Sequence, residues 1–303
     1  MRKIIELCIV LFSIECLASG IKLQENGLEI IILREPTTPF EYFNKENINT
    51  AIHAIGSVVK PEPNEPGCEG ATNSLFMENP DTRKAIINNC LTNDKSSLGS
   101  TIINMLAAIV YLYDSGGDYC TGTLIDKDKI LTAQHCHSSE AFFYNGEKRA
   151  LNNNDVIHCD VISHPGCDWK IFKISPISIK PSLFKMQNAK VNTALWIPGF
   201  AISDLSEDRI PKKYIAESVR WPKPYKNNCK SFISDEKCLV YFCPLLSGYS
   251  GAPIIDLEES KRQGIIIING IHTSGSPAGS ACPFSKNSKA TVNSGNPSSF
   301  IYY

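Results

Sequence analysis

The chain has 303 residues, with 30 basic against 31 acidic side chains and 43% hydrophobic content. That length and apolar fraction suffice for one or two domains with a buried core. The near-balanced charge and the lack of any basic run interleaved with aromatics give no reason to expect nucleic acid or an anionic membrane as a partner.

In chain order, the opening segment MRKIIELCIVLFSIECLASG has the grammar of a secretory signal. Arg2 and Lys3 give a positive start, an apolar stretch follows to Leu17, and Ala18-Ser19-Gly20 are small. Residues 1–20 are therefore read as a signal peptide, the alternative being a buried N-terminal helix. An uninterrupted apolar span of about 20 residues, which a membrane anchor needs, is missing here and later in the chain. Residues 21–76 hold strand-like pieces such as LEIIIL and a Pro/Glu/Gly-rich stretch, KPEPNEPGCEG, and read as a propeptide or N-terminal extension.

Residues 77–303 are read as the main domain. STIINMLAAIVYLY fits helix and strand equally, and from Tyr111 onward short β-rich runs alternate with Gly, Pro, Asn and Asp. TGTLI, KILTA, WKIFKI, TALWIPGF, APIIDL and GIIIINGIH are examples, and they predict an all-β barrel or sandwich. DLEESKRQG reads as an extended hairpin, and the polar SKNSKATVNSGNPSSF as a poorly ordered segment or a surface tail.

Of 12 cysteines, ten remain once Cys8 and Cys16 leave with the signal. An even set in an exported chain reads as disulfides. Structural zinc is the alternative, but no paired CxxC or HxxxH spacing supports it, and no metal or organic cofactor is expected.

Three residues of the β region sit in contexts suited to chemistry. His135 ends an apolar run and adjoins Cys136; a bond back to Cys120 would fix its loop, as a general base requires, although a histidine at a strand end is often structural. Asp168 opens the alternating run DWKIFKI. There a half-buried carboxylate could accept an imidazole N–H, or could merely form a turn, and Asp155 and Asp160 compete with it. Ser250 lies in SGYSGAP, either an ordinary Gly/Ser turn or a tight bend that brings the N–H groups of Gly248 and Ser250 onto a reacting carbonyl. Such an oxyanion hole is worth about 3–4 kcal/mol per donor.

Together CTGTLIDKDKILTAQHC, DWKIFKI and SGYSGAP resemble the motifs of trypsin-like serine proteases, in the family's order of His, Asp, Ser. The resemblance covers roughly residues 77–285. NGIHTSGS and NPDTRKAI are similar to segments of the V8-like, glutamyl-endopeptidase branch. What this implies is two six-stranded antiparallel β-barrels with an active site between them, and a secreted endopeptidase, extracellular or periplasmic. Catalytic roles fall to His135, Asp168 and Ser250, and the oxyanion hole to Gly248 and Ser250. His272 would sit in the S1 pocket against an acidic P1 side chain, although it could also be a core histidine, and Thr273, Ser274 and Gly275 would pair with the substrate backbone. The substrates would be polypeptides, and the enzyme a monomeric zymogen product.

The sequence departs from the pattern at two positions. Tyr249 stands where trypsin has an acid that pairs with a freed N-terminal amine, and Leu245 stands where the V8-like branch has an S1 threonine. A catalytically inactive homologue that binds peptides or proteins is the alternative function. Cys120–Cys136 is the firmest disulfide expectation, followed by Cys159–Cys167, Cys229–Cys238 and Cys243–Cys282.

Overall fold

The computed structural model describes residues 15–17, 20–25, 28–33, 80–94, 98–116, 119–160, 167–180, 183–190, 192–201, 219–222, 229–234, 239–274, 293–298 and 301. Strands β1 (Glu15–Leu17), β2 (Gly20–Glu25) and β3 (Leu28–Leu33) form a small antiparallel meander. Helix α1 (Pro80–Cys90) leads into β4 (Leu91–Thr92), which pairs with β14 (Trp221–Pro222). The Pro/Glu/Gly-rich stretch, Cys238, Gly275 and Cys282 lie outside the described residues.

The first large sheet contains β5 (Ile109–Tyr113), β6 (Tyr119–Asp126), β7 (Lys129–Thr132), β8 (Glu140–Phe142), β9 (Lys148–Ala150), β10 (Val156–His158) and β11 (Lys170–Lys173). Its order is β10-β11-β7-β6-β5-β8-β9, antiparallel throughout. The β-branched and aromatic residues of β5 suit a pleated, buried surface, and Ile109, Val110, Tyr111 and Leu112 are all buried. The segment that fits helix and strand equally is both. Helix α2 (Ser100–Met105) and a short 3-10 turn run straight into β5.

The second sheet contains β12 (Phe184–Met186), β13 (Leu195–Trp196), β15 (Lys230–Ser234), β16 (Leu239–Phe242), β17 (Pro253–Asp256), β18 (Ile266–Ser274) and β19 (Asn293–Pro297). The path is β13-β17-β18-β19-β16-β15, with β12 added to β18 in parallel. The architecture is thus mostly β, in two curled sheets. Each described sheet has seven strands rather than the expected six, and one pairing is parallel. The parallel pair arises because β19 covers only Gly270 to Ser274 of β18, which leaves Ile266 to Ile268 for β12.

Two further expectations are corrected. The segment after β17 is helix α3 (Leu257–Gln263), not an extended hairpin. Asp256 caps it by accepting the Glu259 N–H at 2.9 Å, Glu258 and Glu259 lie in its first turn, Lys261 and Arg262 in its last, and Gly264 ends it at φ 69°. The C-terminal polar run is not a surface tail over Asn293–Pro297, since β19 lies between β18 and β16 with Asn296 fully buried.

Disulfides among the described residues include Cys120–Cys136, Cys159–Cys167 and Cys229–Cys243, and Cys90 is also disulfide-bonded. The last of the three bonds replaces both Cys229–Cys238 and Cys243–Cys282. In the β15–β16 hairpin Lys230 faces Phe242, so the register sets the next residues outward, 229 and 243, opposite each other.

The position of β19 depends on glycine. A Cβ on Gly295 would run into the Ile271 carbonyl oxygen of β18 and crowd Ile254. Gly295→Ala is therefore expected to destabilise the fold by about 1–3 kcal/mol or more, read as a lower urea midpoint. An unchanged midpoint would contradict the burial of β19 in the sheet.

Candidate active site

Strands β7 and β11 are antiparallel neighbours, with Thr132 opposite Lys170. His135 follows just beyond Thr132 and Asp168 comes just before Lys170, so both sit at the same end of one strand pair. The Asp168 carboxylate grips His135 twice: Oδ1 accepts the backbone N–H at 3.0 Å, and Oδ2 lies 2.7 Å from Nδ1. A carboxylate only accepts, so Nδ1 carries the proton and Nε2 presents its lone pair. That Nε2 is 2.9 Å from the Ser250 Oγ. Asp155, the competing carboxylate, lies at the opposite end of β11, 3.9 Å from Lys173. Cys136 N–H bonds to the Ala133 carbonyl in the turn after β7, and the disulfide to Cys120 ties this turn back to β6.

Ser250 comes from the other sheet, in the bend between β16 and β17. Gly248 and Gly251 take φ of 98° and 83°, a region where side chains are strained. A Cβ on Gly251 would collide with Thr132 Oγ1 and the Thr121 carbonyl, so the bend approaches the first sheet only because that atom is absent. The Thr121 N–H donates to the Ser250 carbonyl at 2.8 Å. The Thr121 hydroxyl donates to the Gly248 carbonyl at 2.7 Å.

Tyr249 is fully buried, and its hydroxyl donates to the Arg220 carbonyl at 2.9 Å. Leu245 is also fully buried and packs in the core of the second sheet. His272 on β18 brackets the next turn of chain: its N–H donates to the Ala252 carbonyl at 2.8 Å, and its carbonyl accepts from Gly251 at 2.7 Å. Its ring is buried against the Tyr241 phenol, whose hydroxyl bonds Nδ1. Burial, with the His135 imidazole adding to it, pushes the His272 pKa down to about 3, so the ring is neutral. Thr273 is buried beside it, Ser274 ends β18, and Gly275 lies outside the described residues.

Two contributors escaped the sequence reading. Asn296 accepts the Asp168 N–H on its side-chain Oδ1 at 2.7 Å, which fastens the acid of the first sheet to β19 of the second. Its only sequence context is a polar run, and nothing local marks it. Thr121 does have a signal, its place between Cys120 and Gly122 in the CTGTLI run, but the pattern alone gives its side chain no partner.

The two sheets thus meet at an Asp-His-Ser hydrogen-bonded chain. The Trypsin family matches residues 102–194, which carry β5 to β11 with His135 and Asp168. A 36-residue stretch is 53% identical to snake venom serine protease LmrSP-4 of Lachesis muta rhombeata, covering 12% of this chain and 68% of that sequence. Another match, 40% identical over 55 residues, is to snake venom serine protease 3 of Protobothrops jerdonii, covering 18% of this chain and 21% of that protein. The chain therefore matches about a fifth of that relative's length. Among solved structures, it is similar to a Glu endopeptidase at 18% identity and TM-score 0.44, over 69% of this chain and 91% of that one. It is also similar to a scabies mite inactivated protease paralogue at 12% identity and TM-score 0.45, over 65% and 92% of the two chains. The chain belongs to the trypsin-like serine protease family.

The neutral, buried His272 ties stability to pH. Its folded pKa of about 3 lies below the ordinary 6.5, so the unfolded chain binds the proton more readily. Stability from this residue is full above about pH 6.5 and is lost as pH falls toward 3. Thermal melts of wild type and His272→Gln across that window should converge in acid, and parallel curves would contradict the burial of a neutral ring.

Proposed function

We propose that this protein is a secreted serine endopeptidase that acts on polypeptides as a monomer, with Ser250, His135 and Asp168 as its catalytic groups. The observation that carries this reading is the unbroken chain from Asp168 Oδ2 through His135 to Ser250 Oγ, at 2.7 and 2.9 Å. Ser250 attacks the scissile carbonyl while His135 Nε2 takes its proton. Asp168 keeps the ring oriented and stabilises the imidazolium, which then protonates the leaving amine. The N–H groups of Gly248 and Ser250 receive the developing oxyanion. Water hydrolyses the acyl-enzyme and restores the serine. Residues 1–20 are the export signal, 21–76 a pro-region and 77–303 the protease domain. The disulfides fit an oxidising compartment, and no helix among the described residues is long and apolar enough to cross a membrane.

The P1 side chain is acidic in this reading, and His272 recognises it as a neutral donor. Recognition through Nε2 requires the tautomer in which the Tyr241 hydroxyl, bonded to Nδ1, is the donor and the ring proton sits on Nε2. Leu245 offers no hydroxyl to help, so the pocket depends on that one N–H. Thr273, Ser274 and Gly275 pair with the substrate backbone.

Processed protein profiled against a P1-randomised peptide library is expected to cleave after Glu or Asp. Ser250→Ala should lower kcat by about 10⁴-fold or more with the fold intact. His272→Ala should remove the P1 preference while leaving a serine-directed phosphonate reactive. A folded, processed wild type inert to both peptide and phosphonate would mark an inactive homologue.

Because His272 is neutral well above pH 3, it gains no charge in the neutral range. The ratio of kcat/KM for P1 Glu over P1 Gln should stay flat from about pH 5.5 to 8.5, where free glutamate is already ionised. A ratio that climbs as pH falls would mean a cationic His272.

A further inference from the structure

The Thr121 side chain sits where three segments meet. Its hydroxyl donates to the Gly248 carbonyl at 2.7 Å and accepts the Phe200 N–H at 3.1 Å, and the residue is fully buried. Its own carbonyl accepts from the Thr132 hydroxyl at 2.9 Å, and its N–H holds the Ser250 carbonyl. A glycine such as Gly248, at φ 98°, has many conformations open to it, so something must hold the peptide that follows it. A charged partner is not the device here, because the next residue is the neutral Tyr249, fixed through its hydroxyl to Arg220. Tyr249 also packs on Gly199, whose backbone pairs with Arg220 and which precedes Phe200. The hydroxyl of Thr121 therefore joins the Gly248 bend to the Gly199–Phe200 segment through one buried atom that both gives and receives a hydrogen bond.

We propose that Thr121 is a positioning residue of this site: its hydroxyl fixes the Gly248 carbonyl, and with it the bend whose Gly248 and Ser250 N–H groups stabilise the oxyanion. The proposal rests on the serine-peptidase reading above. Threonine suits the task because branching at Cβ restricts its rotamers, whereas valine keeps the shape but strands the Gly248 carbonyl and the Phe200 N–H.

The test compares wild type, Thr121→Val and Thr121→Ser on one peptide substrate and on the peptidyl boronic acid of the same sequence, whose adduct places an oxygen in the oxyanion hole. Thr121→Val is expected to lower kcat about tenfold or more with KM within about twofold, and to weaken the boronate by a similar factor. Thr121→Ser, which keeps the hydroxyl, should return both to within about threefold of wild type. If the valine variant does not melt cooperatively, Thr121→Ala takes its place with the same expected split. An unchanged kcat and boronate affinity, a loss confined to KM, or a serine variant as impaired as the valine one would overturn the proposal. A wild type inert to peptide and phosphonate would sink the peptidase reading and this proposal with it. An active wild type with an unaffected hydroxyl-free variant sinks this proposal alone.

Discussion

The contact between the two sheets at Gly251 governs the rest of the site. The relay is assembled from both sides: His135 and Asp168 belong to the first sheet and Ser250 to the second, so the 2.9 Å reach from Nε2 to Oγ exists only while the seam is closed. Closure requires a residue with no Cβ at 251, because Thr132 Oγ1 and the Thr121 carbonyl occupy that space. The Thr121 N–H then binds the Ser250 carbonyl, and Asn296 Oδ1 binds the Asp168 N–H from the opposite direction. Each sheet thus holds a member of the relay that the other supplies. A buried hydrogen bond of this kind adds only about 1 kcal/mol net, but opening one strands a polar group at about 1–3 kcal/mol. The seam is therefore costlier to loosen than its bond energies suggest.

Much of the candidate site was legible because its signals are local. A histidine after an apolar strand and beside a bracketing cysteine, an aspartate opening an alternating strand, and a serine between glycines each say something within ten residues. The antiparallel pairing of β7 with β11 then explains why two residues far apart in sequence share one strand end. Asn296 was not legible, because its burial comes from β18 and β16 closing over a strand whose own composition is polar and glycine-rich. Helix α3 was misread although the cap is written in the sequence as Asp256 followed by Glu259. The surrounding strand pattern outweighed a seven-residue element whose stability depends on its ends. The Cys229–Cys243 bond needed the register of β15 against β16, which spacing alone does not contain.

The two sheets also differ in the electrical character of what they bring to the seam. The first contributes the Asp168 carboxyl group and the half-exposed His135 imidazole, with a side-chain exposure of 46%. The second contributes neutral groups: the buried phenols of Tyr241 and Tyr249, an uncharged His272, and the backbone amides of the glycine-rich bend. Buried dipoles can be oriented once, during folding, without the desolvation cost that a buried ion would carry. In the proposed mechanism that arrangement is consistent, since proton transfer needs a base within hydrogen-bond reach of its target, while an oxyanion is best met by fixed donors away from water.

The same neutrality bears on how the bend is ordered. An ion pair at position 249 would make the order of the bend depend on whether a partner charge is present and in which protonation state. A phenol bonded to a backbone carbonyl, and a threonine hydroxyl bonded to another, do not titrate in the physiological range and need no separate partner. The order of the Gly248 bend is then a property of the folded sheets themselves, set by the same contacts that close the seam.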